Sequence, residues 1–181
     1  SRPYGRPRRP NATRTMAEAI PPSDATSASE ADAKELVLRA AAVQSRLAAL
    51  SQNKIDHIVE RMAHTAAQHS ETLARLAVEE TGYGVAADKL LKNRFAAETI
   101  YEFIRPMKTV GVIRRLEAQR VVEIAEPFGV VAAVIPSTNP TSTAIYKLLV
   151  AMKARCAIVL SPHPTAIHCI TRTASLLDAA A

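Results

Sequence analysis

The stretch Val130–Thr143, "VVAAVIPSTNPTST", decides the fold, because an apolar run changes abruptly into a turn of Pro, Ser, Thr and Asn. Its first six residues are all apolar, which is typical of a parallel strand buried on both faces. Pro136 and Pro140 then restrict the backbone on either side of Ser137, Thr138 and Asn139. The stretch therefore predicts a buried strand that ends at a rigid, hydroxyl-rich turn, with Thr141 or Ser142 capping a helix.

A second apolar strand follows at the distance that a βαβ unit requires. A helix over about 141–154 leads to "AIVLS" (157–161), which "PHPT" (162–165) ends before a last helix. Parallel strands bring their carboxyl ends to one edge of a sheet, where open α/β folds bind ligands. We therefore predict an α/β fold in which the turns after both strands form the walls of one cleft.

The chain before residue 107 has helical periodicity, and a β-rich segment follows it. Two β-branched runs, 109–116 and 119–126, predict an antiparallel hairpin or two extended arms. Four helices are predicted before residue 107, and Gly82 predicts the end of the third one. The apolar faces of the four predicted helices are Leu36, Ala40, Val43, Leu47 and Leu50; Ile55, Ile58, Val59, Met62, Ala63 and Ala66; Leu73, Leu76 and Ala77; and, over 86–104, Leu91, Phe95, Ile100 and Ile104.

Composition divides the chain into four parts. Residues 1–32 are expected to be a disordered basic and Pro/Ser-rich tail, and 33–107 the helical part of a larger domain. Residues 108–126 form the predicted hairpin, and 127–181 the βαβα unit. Within it, residues 1–15 have the composition of a transit-like leader, an expression remnant or upstream sequence before Met16.

The charge distribution argues against a nucleic-acid partner. The net charge is +6, but residues 1–15 hold five Arg and no acid, which leaves 18 basic and 17 acidic residues elsewhere. A nearly neutral body offers no footprint for a phosphate backbone. The sequence has no apolar run of membrane-spanning length, and its two cysteines form no disulfide framework. We expect a cytoplasmic protein with neither nucleic acid nor membrane as partner.

The turn residues suit an anionic or carbonyl-bearing ligand; ordinary turn and capping chemistry accounts better for either turn alone, and equally well for the two turns together at one sheet edge. A glycine-rich phosphate loop is absent from the sequence, which has five Gly in all. His57 and His64 are seven residues apart on a helix, too far to share a metal, so no metal site is predicted. Cys156 and Cys169 are interpreted as packing residues; a hydrolase using Cys169 and His163 would require that Cys169→Ala abolish activity.

Three segments closely resemble the amino-terminal part of the CoA-acylating aldehyde dehydrogenases. They are "EETGYGVAADKLLKNRFAAETIY" (79–101), "IAEPFGVVAAVIPSTNPTSTAIYK" (124–147) and "AIVLSPHPTA" (157–166). The resemblance runs from about residue 33 to the end and extends to the aldehyde dehydrogenase half of bifunctional aldehyde-alcohol dehydrogenases and to sulfoacetaldehyde dehydrogenases. It implies an aldehyde dehydrogenase-like fold: amino-terminal helices followed by the start of a Rossmann-type parallel sheet, truncated before the catalytic domain.

The resemblance also implies the chemistry. The family is an oxidoreductase family that uses NAD or NADP and coenzyme A: a cysteine thiolate attacks the aldehyde, hydride passes to the coenzyme, and CoA takes the acyl group. Asn139 or Thr138 would lie near the developing oxyanion. By resemblance, the positions lining the coenzyme are Val134, Ile135, Pro136, Ser137, Thr138, Asn139, Ser161, His163 and Pro164.

One departure limits the mechanism. The family's nucleophilic cysteine belongs to a later segment, and neither Cys156 nor Cys169 matches it, so this fragment alone is expected to be inactive. The hairpin resembles the family's oligomerisation arm, which implies a homo-oligomer. The alternative is a non-catalytic nucleotide-binding or interaction module, which the gene sequence downstream of Ala181 would distinguish.

Overall fold

The computed structural model describes residues 24–181, with side chains from residue 29 onward. Its helices are α1 (Asp24–Ala48), α2 (Gln52–Gln68), α3 (Ser70–Thr81), α4 (Ala86–Arg94), α5 (Ile100–Ile104), α6 (Pro140–Lys153) and α7 (Ile167–Ala180). Its strands are β1 (Gly111–Leu116), β2 (Val121–Ala125), β3 (Val131–Ile135) and β4 (Ile158–Pro162). Across these residues, no helix combines the length and apolar character that a bilayer crossing needs.

The first helix begins earlier than the sequence predicted. Residues 24–32 of the expected disordered segment 1–32 are helical and continue without a break into residues 33–48, which are rich in the strong helix formers Ala, Leu and Arg. The remainder of that segment, 1–23, lies outside the described residues. The apolar face of α1 is only partly covered: Leu36 and Val43 are exposed, while Leu47 and Leu50 pack against the core.

The predicted helix over 86–104 contains a π-helical turn at Phe95–Thr99, between α4 and α5. The extra residue in this turn rotates the helix, so the side chains that face inward differ before and after it. Leu91 and Phe95, predicted to be buried, are 66% and 56% exposed, whereas Ile104 is buried as predicted. Before the π turn, the inward positions are instead Lys89 and Asn93.

The predicted hairpin is confirmed as antiparallel, with Gly111 paired to Ala125 and Leu116 to Val121. We call residues 109–126 the arm. Its strands make their main contacts with each other, and Arg114 and Glu123 form a bidentate pair across it, at 2.9 and 2.6 Å. The apolar side chains of the arm are largely exposed: Val112, Ile113, Val121, Val122 and Ile124.

The βαβ unit is confirmed. β3 and β4 pair in parallel, with Val131 opposite Ile158 and Ile135 opposite Pro162. The expectation that β3 is buried on both faces was wrong: Ala133 and Ile135 are buried, but Val134 is 70% exposed. The reason is that, among residues 24–181, β3 packs mainly on α6 and β4, so one face of the strand stays open.

Two clusters of buried side chains form the core. The larger joins α2, α3, α6 and α7 through residues such as Ile55, Leu73, Leu149 and Leu177. The smaller lies under the carboxyl end of the sheet and includes Ile135 and Ile170. Gly82 ends α3 in the left-handed region at φ 67°, as predicted. The helices therefore pack beneath the edge where β3 and β4 end.

Candidate functional site

The turns after β3 and β4 lie side by side, as the sequence predicted. Parallel pairing puts both strand ends at one edge, and the His163 amide donates to the Ile135 carbonyl at 3.0 Å. We call residues 136–140 and 161–164 the rim. The adjacency of the two turns is therefore confirmed, and a cleft between them stays a prediction.

The rim positions differ in how far their side chains reach solvent. Pro136, Thr138, Ser161, His163 and Pro164 are exposed, and Ser137 and Asn139 are partly buried. Ile135 is fully buried, and its carbonyl is occupied by the His163 amide, so it holds the rim together from beneath. Val134 is exposed on the open face of β3.

Asn139 precedes α6, and Pro140 is the first residue of that helix. This is a favourable place for proline, because the N–H that proline lacks would have no hydrogen-bond partner within the helix there. The expectation that Thr141 or Ser142 caps α6 was wrong, because the helix begins at Pro140. Asn139 occupies the capping position without a side-chain capping hydrogen bond. Its Oδ1 accepts instead from Lys92 Nζ at 2.9 Å, which leaves Nδ2 as the donor end of the amide.

Three lysines that sequence reasoning missed surround the first turn. Lys89 Nζ donates to the Thr138 carbonyl at 2.9 Å, and Lys147 Nζ donates to the Val134 carbonyl at 2.8 Å. Lys92 is the third. Lys89 is only 5% exposed; burial, and secondarily the charge of Lys92, lowers its pKa. These ammonium groups donate to carbonyl oxygens in and next to the turn, and they place positive charge beside it.

A buried polar chain connects the turn to the helical support. The Thr141 hydroxyl donates to Asn93 Oδ1 at 2.8 Å, and Asn93 Nδ2 donates to the Ser70 carbonyl at 2.9 Å. All three residues are at most 1% exposed. Because buried polar groups must be paired, this chain sets how α6 docks on α3 and α4. The sequence signal was the i, i+4 pair Lys89 and Asn93 on the inward face of α4.

The start of α7, which follows the second turn, is held by Glu80 on α3. Glu80 accepts the amides of His168 and Cys169 at 2.8 and 2.7 Å, so it caps α7 from α3. Burial raises the pKa of Glu80, but the hydrogen bonds from the two amides, together with the Cys169 thiol and the nearby His168, outweigh it and hold the pKa below its usual value. His163 caps its own turn by accepting the Thr165 amide.

The two cysteines are packing residues. Cys156 and Cys169 are both buried free thiols. Burial, then the hydrogen bond to Glu80, raises the pKa of Cys169 to about 12, so the thiolate is scarce near neutrality. His57 and His64 lie on α2, away from the rim; His64 pairs with Gln68, and His57 lies near Glu60.

A groove of about 640 Å³ opens beside Asn139, between α6 and the π turn. Its floor is apolar, and Lys92, Asn139, Ser142 and Thr143 lie at its polar side. The exposure of Leu91 and Phe95 is explained by this groove, because both side chains line it. Its apolar wall consists of Leu91, Phe95, Ala96, Ile100 and Tyr146.

Comparison with known proteins gives a consistent result. The profile of the aldehyde dehydrogenase family matches residues 13–181. The chain is 44% identical over 156 residues to an aldehyde-alcohol dehydrogenase of Clostridium acetobutylicum, covering 86% of this chain and 18% of that protein. The crystal structure of an acetylating aldehyde dehydrogenase from Geobacillus thermoglucosidasius matches with a TM-score of 0.83 and 50% identity, covering 87% of this chain and 35% of that one.

A further structural relative carries a ligand. Propionaldehyde dehydrogenase of Rhodopseudomonas palustris, with bound CoA and an acylated cysteine, matches with a TM-score of 0.68 and 29% identity, covering 81% of this chain and 33% of that one. The chain thus spans about a fifth to a third of the length of these relatives.

Proposed function

Because the chain belongs to the aldehyde dehydrogenase family, we propose that it forms the first part of the coenzyme-binding domain of an enzyme that oxidises an aldehyde to an acyl-CoA with NAD or NADP. The observation that carries this proposal is the pair of adjacent rim turns with their lining of lysines. The relatives named above include enzymes described as acetylating and one solved with CoA. The fold and the motifs agree with that chemistry.

The chemistry of the rim fits a nicotinamide coenzyme. A dinucleotide carries a negatively charged pyrophosphate, and Lys92 and Lys147 supply positive charge on either side of the first turn. The rim residues 136–138 and 161–164 offer hydroxyl and backbone groups for its sugars. Ile135 is buried beneath them, and its carbonyl accepts the His163 amide and so holds the two turns together. When bound, the coenzyme supplies a hydride acceptor.

Asn139 is proposed to assist the reacting carbonyl. Its Oδ1 is engaged by Lys92, so the Nδ2 hydrogens are directed away from that lysine and are available to an oxygen that gains negative charge. The groove beside it can receive the carbon chain of an aldehyde on its apolar wall. Two buried cysteines, one with a pKa near 12, make poor nucleophiles, which agrees with a reactive thiol supplied by another segment.

Self-association through the arm and a cytoplasmic location complete the proposal. An isolated two-stranded hairpin is marginal in water, and this one exposes most of its apolar side chains, so a second copy is a suitable cover. The cytoplasm keeps thiols reduced, which suits two free cysteines. Size-exclusion chromatography with light scattering tests the association: an arm-deleted variant should elute as a smaller species.

The decisive experiment assays the product of the complete gene for reduction of acetyl-CoA by NADH or NADPH, and for the reverse reaction with acetaldehyde and sulfoacetaldehyde. Asn139→Ala should lower kcat about 10²-fold or more, the usual cost of losing an oxyanion donor. Lys54→Ala, on the exposed face of α2, is the matched control and should leave the rate unchanged. Failure to form or consume acyl-CoA with either coenzyme would contradict the proposal.

A further inference from the structure

Arg155 lies between α6 and β4 with a backbone angle that favours glycine. Its φ is +56°, and within residues 24–181 the one other non-glycine residue with positive φ is Arg120, at +55°. Arg155 is 5% exposed, so a charged side chain has been placed in the interior at a position where it is also conformationally costly. The side chain must therefore make contacts that a glycine could not.

The guanidinium group joins three distant segments. Nη1 donates to the carbonyl of Ala48 at the end of α1, and Nη2 donates at 3.0 Å to the carbonyl of Ala125 at the end of the arm. The backbone of Arg155 is held in turn by α1, because Gln44 Nε2 donates to its carbonyl at 2.9 Å. Gln44 Oε1 also accepts the Ala157 amide just before β4, at 2.7 Å.

The pairing is unusual for a buried cation. No carboxylate lies within ion-pairing distance of Arg155 among residues 29–181. Its Nε is the one buried side-chain nitrogen or oxygen in that range without a hydrogen-bond partner. For packing alone, an uncharged side chain would cost less free energy to bury than this charged one. The contribution of the Arg155 side chain is therefore the two hydrogen bonds that it donates.

The arm is attached to the body at two places, one at each end. At its beginning, the Thr109 amide donates to Gln52 Oε1 at 2.8 Å, which ties it to α2. At its end, the hydrogen bond from Arg155 to Ala125 ties β2 to the start of β4. The strands themselves contact mainly each other. The direction in which the arm projects therefore depends on these two tethers.

We propose that Arg155 is a positioning residue that fixes the arm and the end of α1 relative to the βαβ unit. Without its guanidinium, β2 loses its hydrogen bond to the βαβ unit and keeps only the short connection through residues 126–130 to β3, while β1 stays tied through Gln52. The arm then pivots about Thr109, and the end of α1 loses its contact at Ala48. This role holds whether or not the chain belongs to a CoA-acylating enzyme.

The test compares Arg155→Gly with Arg120→Gly by amide hydrogen exchange on the protein. Both substitutions relieve a positive φ, but Arg120 is exposed in the turn of the arm and ties nothing to the body. We expect Arg155→Gly to accelerate exchange in β2 and at the end of α1 about tenfold for each lost hydrogen bond to the charged group. Arg120→Gly should leave exchange at the wild-type rate or slow it.

Arg155→Lys provides the second variant, because a single ammonium keeps the charge but cannot reach both carbonyls as the forked guanidinium does. It should accelerate exchange in the same two regions by a smaller factor. Wild-type exchange in Arg155→Gly would overturn the proposal. If Arg155→Gly fails to fold, Arg155→Lys decides: acceleration confined to β2 and the end of α1 supports positioning, and uniform acceleration over residues 52–181 or none at all refutes it.

Discussion

Replacing Glu80 by glutamine should weaken the attachment of α7, and with it the second turn of the rim. The carboxylate accepts two α7 amides, from His168 and Cys169. Hydrogen bonds to charged groups contribute about 1.5–3 kcal/mol each, but Glu80 is partly exposed, so solvent screening puts the total near the value of one helix cap, about 1–2 kcal/mol. Glutamine keeps one acceptor oxygen and the length of the side chain, and loses the charge.

The pH dependence makes the prediction specific. The pKa of Glu80 is lower in the folded protein than its ordinary value, so the unfolded chain takes up the proton first as the pH falls. The stabilisation is therefore fully present above the unfolded pKa of about 4.3 and is lost as the pH falls through the folded pKa. The stability difference between wild type and Glu80→Gln should be largest near pH 7 and shrink in acid.

Urea unfolding followed by circular dichroism at pH 7 and at several values below 5 measures this difference. Glu79→Gln is the matched control, since Glu79 is its exposed neighbour on the same helix, and it should change the free energy of unfolding by less than about 0.5 kcal/mol. A Glu80→Gln deficit that stays constant from pH 7 into acid would refute the reasoning, because the effect would then not come from the ionised carboxylate.

Other predictions concern the core, the thiols and one ion pair. Ile104→Ala should lower the free energy of unfolding in urea by about 2–5 kcal/mol, and Leu91→Ala by less than about 0.5 kcal/mol, because only Ile104 is buried. The reverse order would contradict our account of the π turn. Cys169 should resist thiol reagents at pH 8 in the folded protein and react on unfolding, because burial raises its pKa to about 12; fast reaction without unfolding would count against this. Asp56→Ala should destabilise the protein more than Lys153→Met. The Lys153 side chain is 4% exposed and that of Asp56 39%, so only the loss of Asp56 leaves a buried charge without its partner. Equal losses of stability in thermal unfolding would disprove this asymmetry.

The sequence by itself determined the local elements and their order. The apolar runs of β3 and β4, Gly82 after α3 and the prolines around the first turn act over a few residues, so their effects are readable in the chain. The adjacency of the two rim turns was also predictable, because parallel pairing allows no other arrangement of the strand ends.

Tertiary structure decided which polar groups meet. Arg155 reaches a carbonyl 107 residues away, Glu80 caps a helix 88 residues further on, and Lys89 lies against a turn 49 residues distant. The inward face of the helix with the π turn also departs from its apolar stripe: Leu91 and Phe95 line a groove, while Lys89 and Asn93 point inward. Periodicity reports which face of a helix is apolar, but the partner of a buried charge depends on distant backbone groups that come together only when the chain has folded.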